Sequence, residues 1–249
     1  MLTYRRKSRY VVLKILVSEI SESTRELQIL RHLAQMVPEN TSSKYVTQLL
    51  DEFRHQGPNG THTCLVFEPM GPSVNTMVGE LPQFNPRMWG MKVRYPPWMA
   101  KSILKQSLQA LDFLHQNNVA HGDFQPGNIL FALHDDIDSK PEDMLRQEES
   151  VEARFISPPV QRLDGKADPW APLYLCIAQP LTPFTPYTGD FKIKLSDMGG
   201  GKRVFFLIRG DENGRTKILT LPPDVSNQHT SSPTHWQSQS LRMVFAPPS

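Results

Sequence analysis

Only two cysteines occur in the 249 residues, Cys64 and Cys176. Neither has the spacing of a metal knuckle or a redox pair, and each sits in an apolar run, "CLVFE" or "LYLCIA". They read as buried thiols in a reducing compartment, which excludes a disulfide scaffold. Long apolar runs are also missing, and none approaches the ~18 residues needed to cross a bilayer. The start "MLTYRRKSRYVVLKILVSE" is basic and then apolar, like a leader. Lys14 interrupts it, however, and "SEISESTRE" offers no small-residue cleavage site, so an intracellular β-strand is expected. Charge of one sign is scarce too: 27 Lys and Arg against 25 Asp and Glu leave a formal +2. That balance is too mild for direct nucleic-acid binding. Histidines and cysteines are too scattered for a structural metal site. There is no internal repeat.

What is present is a 39% hydrophobic chain, able to bury a core, interrupted by 22 prolines. Its length suits one large domain or two small lobes. "YVVLKILV" (10–17) is β-branched and reads as a strand. "ESTRELQILRHLAQMV" (22–37) spaces Leu27, Leu30, Leu33 or Ala34, and Val37 as one face of a helix. Ser21 or Ser23 are its candidate caps, and Pro38 its stop. "YVTQLLDEF" and "HTCLVFEPM" flank "RHQGPNG", whose Pro-Asn-Gly signals a hairpin. Residues 79–97 read as irregular. "PWMAKSILKQSLQALDFLHQNN" (97–118) is the firmest helix, with Ile103, Leu104, Leu108, Leu111 and Leu114 on one face and an Asn pair at its exit. "NILF" and "FKIKLSD" read as short strands. Between them, 132 to about 188 is acidic and then Pro-rich. "KRVFFLIRGDENGRTKILTLP" suits a hairpin around Asp211–Gly214, and "PPDVSNQHTSSPTHWQSQS" carries few order signals.

The informative stretch is "VAHGDFQPGNILF" (119–131). An Asp five residues before an Asn, in a turn that runs into apolar residues, can hold magnesium and a hydroxyl together. Lys14 lies inside an apolar strand, where a charge is costly unless paired or used, and Glu26 on the next helix is its natural partner. Asp197 ends a strand before glycines. In a phosphotransfer reading, Lys14 and Glu26 would serve the nucleotide phosphates. Asp123 would orient the attacking hydroxyl, and Asn128 with Asp197 would hold magnesium. Each residue has a plain structural alternative: an edge-strand charge, a solvated helix residue, a turn, a strand end. Their joint order favours chemistry. His121 reads as a loop brace.

The set resembles eukaryotic protein kinases, and within them the SR-protein kinases. "VVLKIL" is similar to the kinase lysine strand and "RELQILRHL" to the start of helix C. "VTQLLDEFRHQGPNGTHTCLVFEPMG" is similar to the family's hairpin and hinge approach. "HGDFQPGNILF" stands at the catalytic loop and "KIKLSDMGG" at the Asp-Phe-Gly motif. The resemblance covers roughly residues 10–201. It implies an α+β, kinase-like two-lobe fold, partial, with residues 1–78 as upper lobe and hinge. It places the long helix and catalytic loop in 79–131, a variable and flexible spacer in 132–189, and the metal-binding Asp motif in 190–201. It leaves residues 202–249 as a tail expected to be unlike a kinase and largely disordered.

It further implies a Ser/Thr kinase using ATP and Mg²⁺ on protein substrates rich in Arg and Ser, in cytoplasm or nucleus. Asp123 is then the catalytic residue, Lys14, Glu26 and Gln125 bind the nucleotide, and Asn128 and Asp197 bind the metal. Departures are plain. Gln125 stands where the family has Lys, Gly122 where it has Arg, and the step from Lys14 to Glu26 is short. No Gly precedes Lys14 and no Ala-Pro-Glu follows "SDMGGG", so the chain reads as incomplete at both ends with reduced turnover. Two other readings stay open: a dead pseudokinase fragment or binding module, and a small-molecule phosphotransferase of the aminoglycoside or choline kinase type.

Overall fold

The computed structural model describes residues 9–16, 24–36, 41–57, 60–86, 88–145, 181–203, 206–210, 216–220 and 242–244. Strand β1, Val11–Ile15, alternates its faces. Val11 and Leu13 pack with Val66, while Lys14 goes to the opposite side. Helix α1, Arg25–Met36, buries Leu27, Ile29, Leu30 and Leu33, with Glu26 in its first turn. Its cap is Thr24, whose hydroxyl accepts the Leu27 N–H at 3.2 Å. Ser21, Ser23 and Val37 lie outside the described residues.

The hairpin is longer than its apolar pattern suggests. Strand β2, Leu49–Gly57, pairs antiparallel with β3, Gly60–Phe67, out to Gly57 opposite Gly60. The residues "RHQG" belong to the ladder because an exposed strand end needs only cross-strand partners, such as the Thr61 hydroxyl on Gln56 at 2.6 Å. Strand β4, Met70–Ser73, leads into α2, Val74–Glu80, where the Ser73 hydroxyl caps the Thr76 N–H. That helix includes the first residues of the stretch expected to be irregular.

Helix α3, Pro97–Gln116, buries only part of the expected stripe, Ile103 and Leu114. Met99, Ile103, Gln106, Ser107, Ala110, Phe113 and Leu114 are buried. Leu104 and Leu108 are 63% and 64% exposed, a correction to the expected face. Next come β5, Val119–Ala120, and β6, Ile129–Ala132, joined by the motif loop. Strand β7, Ile193–Leu195, pairs antiparallel with β6, giving a three-stranded sheet in the order β4-β6-β7.

The two ends of the expected spacer are packed in the described residues. Leu133, Ile137, Leu145 and Leu181 form a cluster with Tyr10, and the His134 N–H donates to the Phe184 carbonyl at 2.9 Å. Residues 146–180 lie outside the description. The tail also supplies strands. Strand β8, Lys202–Arg203, pairs with β5. Strands β9, Phe206–Gly210, and β10, Thr216–Thr220, pair with each other. Strand β11, Arg242–Val244, joins the edge of β1, so the first sheet runs β11-β1-β3-β2. Residues 211–215 and 221–241 are outside the described set.

One apolar cluster joins these layers. Leu27, Ile29, Leu30 and Leu33 of α1 and Leu65 of β3 share it with Phe113 of α3, Phe131 of β6, and Ile193 and Leu195 of β7. The helix that carries Glu26 and the strand that leads to Asp197 are therefore fixed to the same core.

Candidate active site

Lys14 is the centre of the arrangement. It is 7% exposed, and its ammonium would be costly there without partners. Both carboxylate oxygens of Glu26 accept from it, at 2.7 and 2.9 Å. A third contact, 3.3 Å long, reaches Oδ1 of Asp197. The strand, the helix and the strand end, separated by up to 183 residues, thus meet at one ammonium.

Asp197 follows β7 in the left-handed region, φ 63° and ψ 78°, which few side-chain-bearing residues adopt. Its carboxylate also accepts the Gly199 N–H at 3.3 Å, so it caps the short 3-10 turn Met198–Gly200. The side chain stays about one-third exposed. That leaves it open to a cation on its outer side.

The motif loop is joined to the residue before Asp197. Asn128 closes a 3-10 turn, Pro126–Asn128. Its Nδ2 donates to both the backbone carbonyl and Oδ2 of Asp123, each at 2.9 Å. Gln125 donates its amide to the same Oδ2 at 2.9 Å. Two neutral donors thus hold one carboxylate oxygen, and Oδ1 has no partner among the described residues. Because Asn128 spends its amine on Asp123, its amide oxygen is the end left for a ligand. The Asn128 backbone carbonyl accepts from the N–H and hydroxyl of Ser196, at 2.8 and 3.0 Å, tying this loop to the residue before Asp197.

His121 is the second tie. It is 2% exposed, with Nε2 2.9 Å from the Ser196 carbonyl. The Asp123 N–H donates to its Nδ1 at 3.3 Å, which requires the hydrogen on Nε2. It braces the loop. Gly122 has φ +76°, and a Cβ there would lie 2.0 Å from the Gly200 carbonyl oxygen. No side chain fits at this position.

Three further residues carry the geometry without a sequence signal of their own. Ser196 accepts from His121 and donates to Asn128. Gln106 of α3 accepts the Ile193 N–H at 2.9 Å and donates to the Phe191 carbonyl at 3.1 Å, fixing the start of β7. Lys194 pairs with Glu68, between β3 and β4, at 2.5 Å. Only their partners reveal them.

The donors on offer are carboxylate and amide oxygens, the set that suits magnesium. Asn128 and Asp197 could supply them. Among the described residues no group of three or more His, Cys, Asp and Glu could hold a metal alone. A magnesium ion here would complete its shell with phosphate oxygens and water, as it commonly does.

The family model for the protein kinase domain matches residues 1–140 of this chain. Among curated proteins it is 32% identical to "Protein kinase dsk1" of Schizosaccharomyces pombe over 136 residues, covering 53% of this chain and 23% of that protein. It is 36% identical to "Probable serine/threonine-protein kinase sky1" of Dictyostelium discoideum over 114 residues, 45% of this chain and 15% of that protein. Over 136 residues it is 30% identical to mouse "SRSF protein kinase 3", covering 52% and 22% respectively. The matches therefore span about a quarter or less of those relatives.

Proposed function

The chain belongs to the protein kinase family, and on that premise we propose that it carries the nucleotide, metal and hydroxyl sites of a Ser/Thr protein kinase of the SR-protein kinase type. The observation that carries the reading is the meeting of Lys14, Glu26 and Asp197 at one ammonium, beside a loop in which Asp123 is held by Asn128 and Gln125. In such transfer the protein supplies position and charge more than covalent chemistry. Lys14 neutralises phosphate charge, with Glu26 holding the ammonium in place. Asp123 takes the hydrogen bond of the attacking hydroxyl on Oδ1. Asn128 and Asp197 supply oxygens to magnesium, which would offset the negative charge on the phosphates. Gln125 reaches Asp123 but brings no positive charge, and a missing stabiliser of developing charge costs ~10²–10³ in rate. Transfer by this chain is therefore slow.

One relative is named as a kinase of SRSF proteins, and in this reading the substrates are Arg/Ser-rich proteins, met in cytoplasm or nucleus. No helix among the described residues is long and apolar enough to cross a membrane. The domain layout follows the same reading: upper lobe and hinge in 1–78, long helix and catalytic loop in 79–131, a spacer in 132–189, the metal motif in 190–201 and a tail beyond.

The test is γ-labelled ATP with an Arg-Ser peptide. Slow labelling that needs magnesium, disappears in Asp123→Asn and rises in Gln125→Lys is the expected result. Labelling undiminished in Asp123→Asn, no labelling in any variant, or labelling of choline in place of peptide would overturn the reading.

A further inference from the structure

We propose that Lys194 is a positioning residue, whose ion pair with Glu68 holds β7 against the link between β3 and β4 and so fixes where Asp197 sits. The inference rests on the reading of Asp197 as a metal-holding residue. Nothing in the sequence motifs singles out either member of the pair.

Asp197 is loosely held by its own contacts. The hydrogen bonds it makes, to Lys14 and to the Gly199 N–H, are each 3.3 Å, at the long end of the useful range. Its backbone is in the left-handed region, so relaxation would move it away from this geometry. Its place must come from the strand before it.

That strand is only three residues long. Its backbone pairs with β6 through Ile129 opposite Leu195, Leu130 opposite Lys194 and Phe131 opposite Ile193. On its other side lies one parallel bridge, between Leu195 and Val46. Such a short ladder resists sliding poorly, and a slip of one residue would turn its side chains to the wrong face. Gln106 anchors the start at Ile193. Lys194 is the next residue, and its Nζ lies 2.5 Å from Oε1 of Glu68.

The pair is well screened from water on the lysine side, with side chains 14% and 30% exposed. A partly buried pair of this kind is a poor source of stability, because desolvation offsets the attraction, but it sets register well. Its two ends belong to the link between β3 and β4 and to the strand that leads to Asp197. Through it, the distance from that link to Asp197 is fixed at Lys194, three residues before the carboxylate. Ile193 and Leu195, on the other face, pack into the core and leave Lys194 as the polar anchor of β7.

Amide hydrogen exchange on the chain without nucleotide tests this directly, because it does not depend on any activity. In Lys194→Met, amides of 196–201 should exchange about tenfold faster or more, while those of α3 and of the β2–β3 ladder keep their rates. Glu68→Gln, which keeps the size and removes the charge, should do the same if the first variant folds poorly. The exchanged pair, Lys194→Glu with Glu68→Lys, should restore most of the protection. In a second arm, MgATP affinity should fall in Lys194→Met and recover in the exchanged pair, with the melting temperature little changed in both. Unchanged exchange at 196–201 in both single variants, or equal acceleration across the whole chain, would overturn the proposal. Failure of the unaltered chain to bind MgATP would instead sink the reading of the nucleotide site and leave the exchange result standing.

Discussion

Lys14 shows how far a single residue can be read. A lysine inside "VVLKI" needs a partner, and the nearest carboxylate on the next helix supplies it, so this pairing was legible from the strand and helix patterns alone. The structure adds the strength of the constraint. In Lys14→Met the buried carboxylate of Glu26 loses its partner, and breaking such a pair from one side costs about 3–5 kcal/mol. Denaturant unfolding should show that loss, and Glu26→Gln added to Lys14→Met should recover part of it. Gly122 was legible only as a departure from a family pattern. Its reason lies in Gly200, 78 positions away, which no local signal can reveal. Gly122→Ala places a Cβ against the Gly200 carbonyl at positive φ. The cost should be of the order of 1–3 kcal/mol by the same measurement. The ties through His121 and Ser196 were hidden for the same reason. Cys64 was read as buried from its apolar run, and it is a buried free thiol. Burial pushes its pKa above the ordinary thiol value of 9.0. An acid raised this way contributes stability that is full below its ordinary value and lost as pH rises from there through the folded pKa. Peptide-mapped alkylation should find Cys64 slow in the native chain at pH 8 and fast in denaturant. Equal rates would contradict its burial.

At the scale of elements, helices were easier to find than to orient. The period of α3 was plain, but two stripes competed. Ile103 and Leu114 of the expected stripe are buried, but Leu104 and Leu108 lost their place to Gln106 and Ser107, both buried. Gln106 wins its place by bonding the start of β7 and the residue leading into it, one with each end of its amide, a satisfaction that hydrophobic periodicity does not weigh. Ile103→Ala should therefore cost about 2–5 kcal/mol, and Leu104→Ala should stay within ~0.5 kcal/mol. Similar losses from both would mean that the exposed face is covered in solution. The cap of α1 moved for a simpler reason: Ser21, Ser23 and Thr24 are all suitable, and composition cannot choose among them. Thr24→Ala should cost about 1 kcal/mol. Helix α2 escaped notice because seven residues carry too little period to register, although Ser73 was a fair cap signal. In the tail, the pairing of β9 with β10 was legible from its hairpin pattern, whereas β11 escaped for another reason. Strand β11 has only three residues and gains its order from the edge of β1, more than 200 residues earlier.

Across the whole molecule, the order of elements was legible because it follows from strand, helix, hairpin, long helix and loop patterns that need no distant information. A mixed α+β chain whose kinase motifs fall in the family's order is what the structure shows. Less legible was the packing of the two spacer ends. Tyr10, four residues before Lys14, donates its backbone N–H to Asp138 at 2.8 Å and its hydroxyl to the Lys140 carbonyl at 2.7 Å. Acidic and proline-rich composition suggested a loose segment, but composition does not count one well-placed aromatic anchor. The central claim is that Lys14, Glu26, Asn128 and Asp197 form one magnesium-nucleotide site. Calorimetric titration of the chain with ATP, with and without magnesium, tests it most directly, run beside Asp197→Ala. Binding should require magnesium and weaken about tenfold or more in the variant, the loss of one charge-assisted contact of about 1.5–3 kcal/mol. Tight binding that persists in Asp197→Ala, or that is indifferent to magnesium, would contradict it.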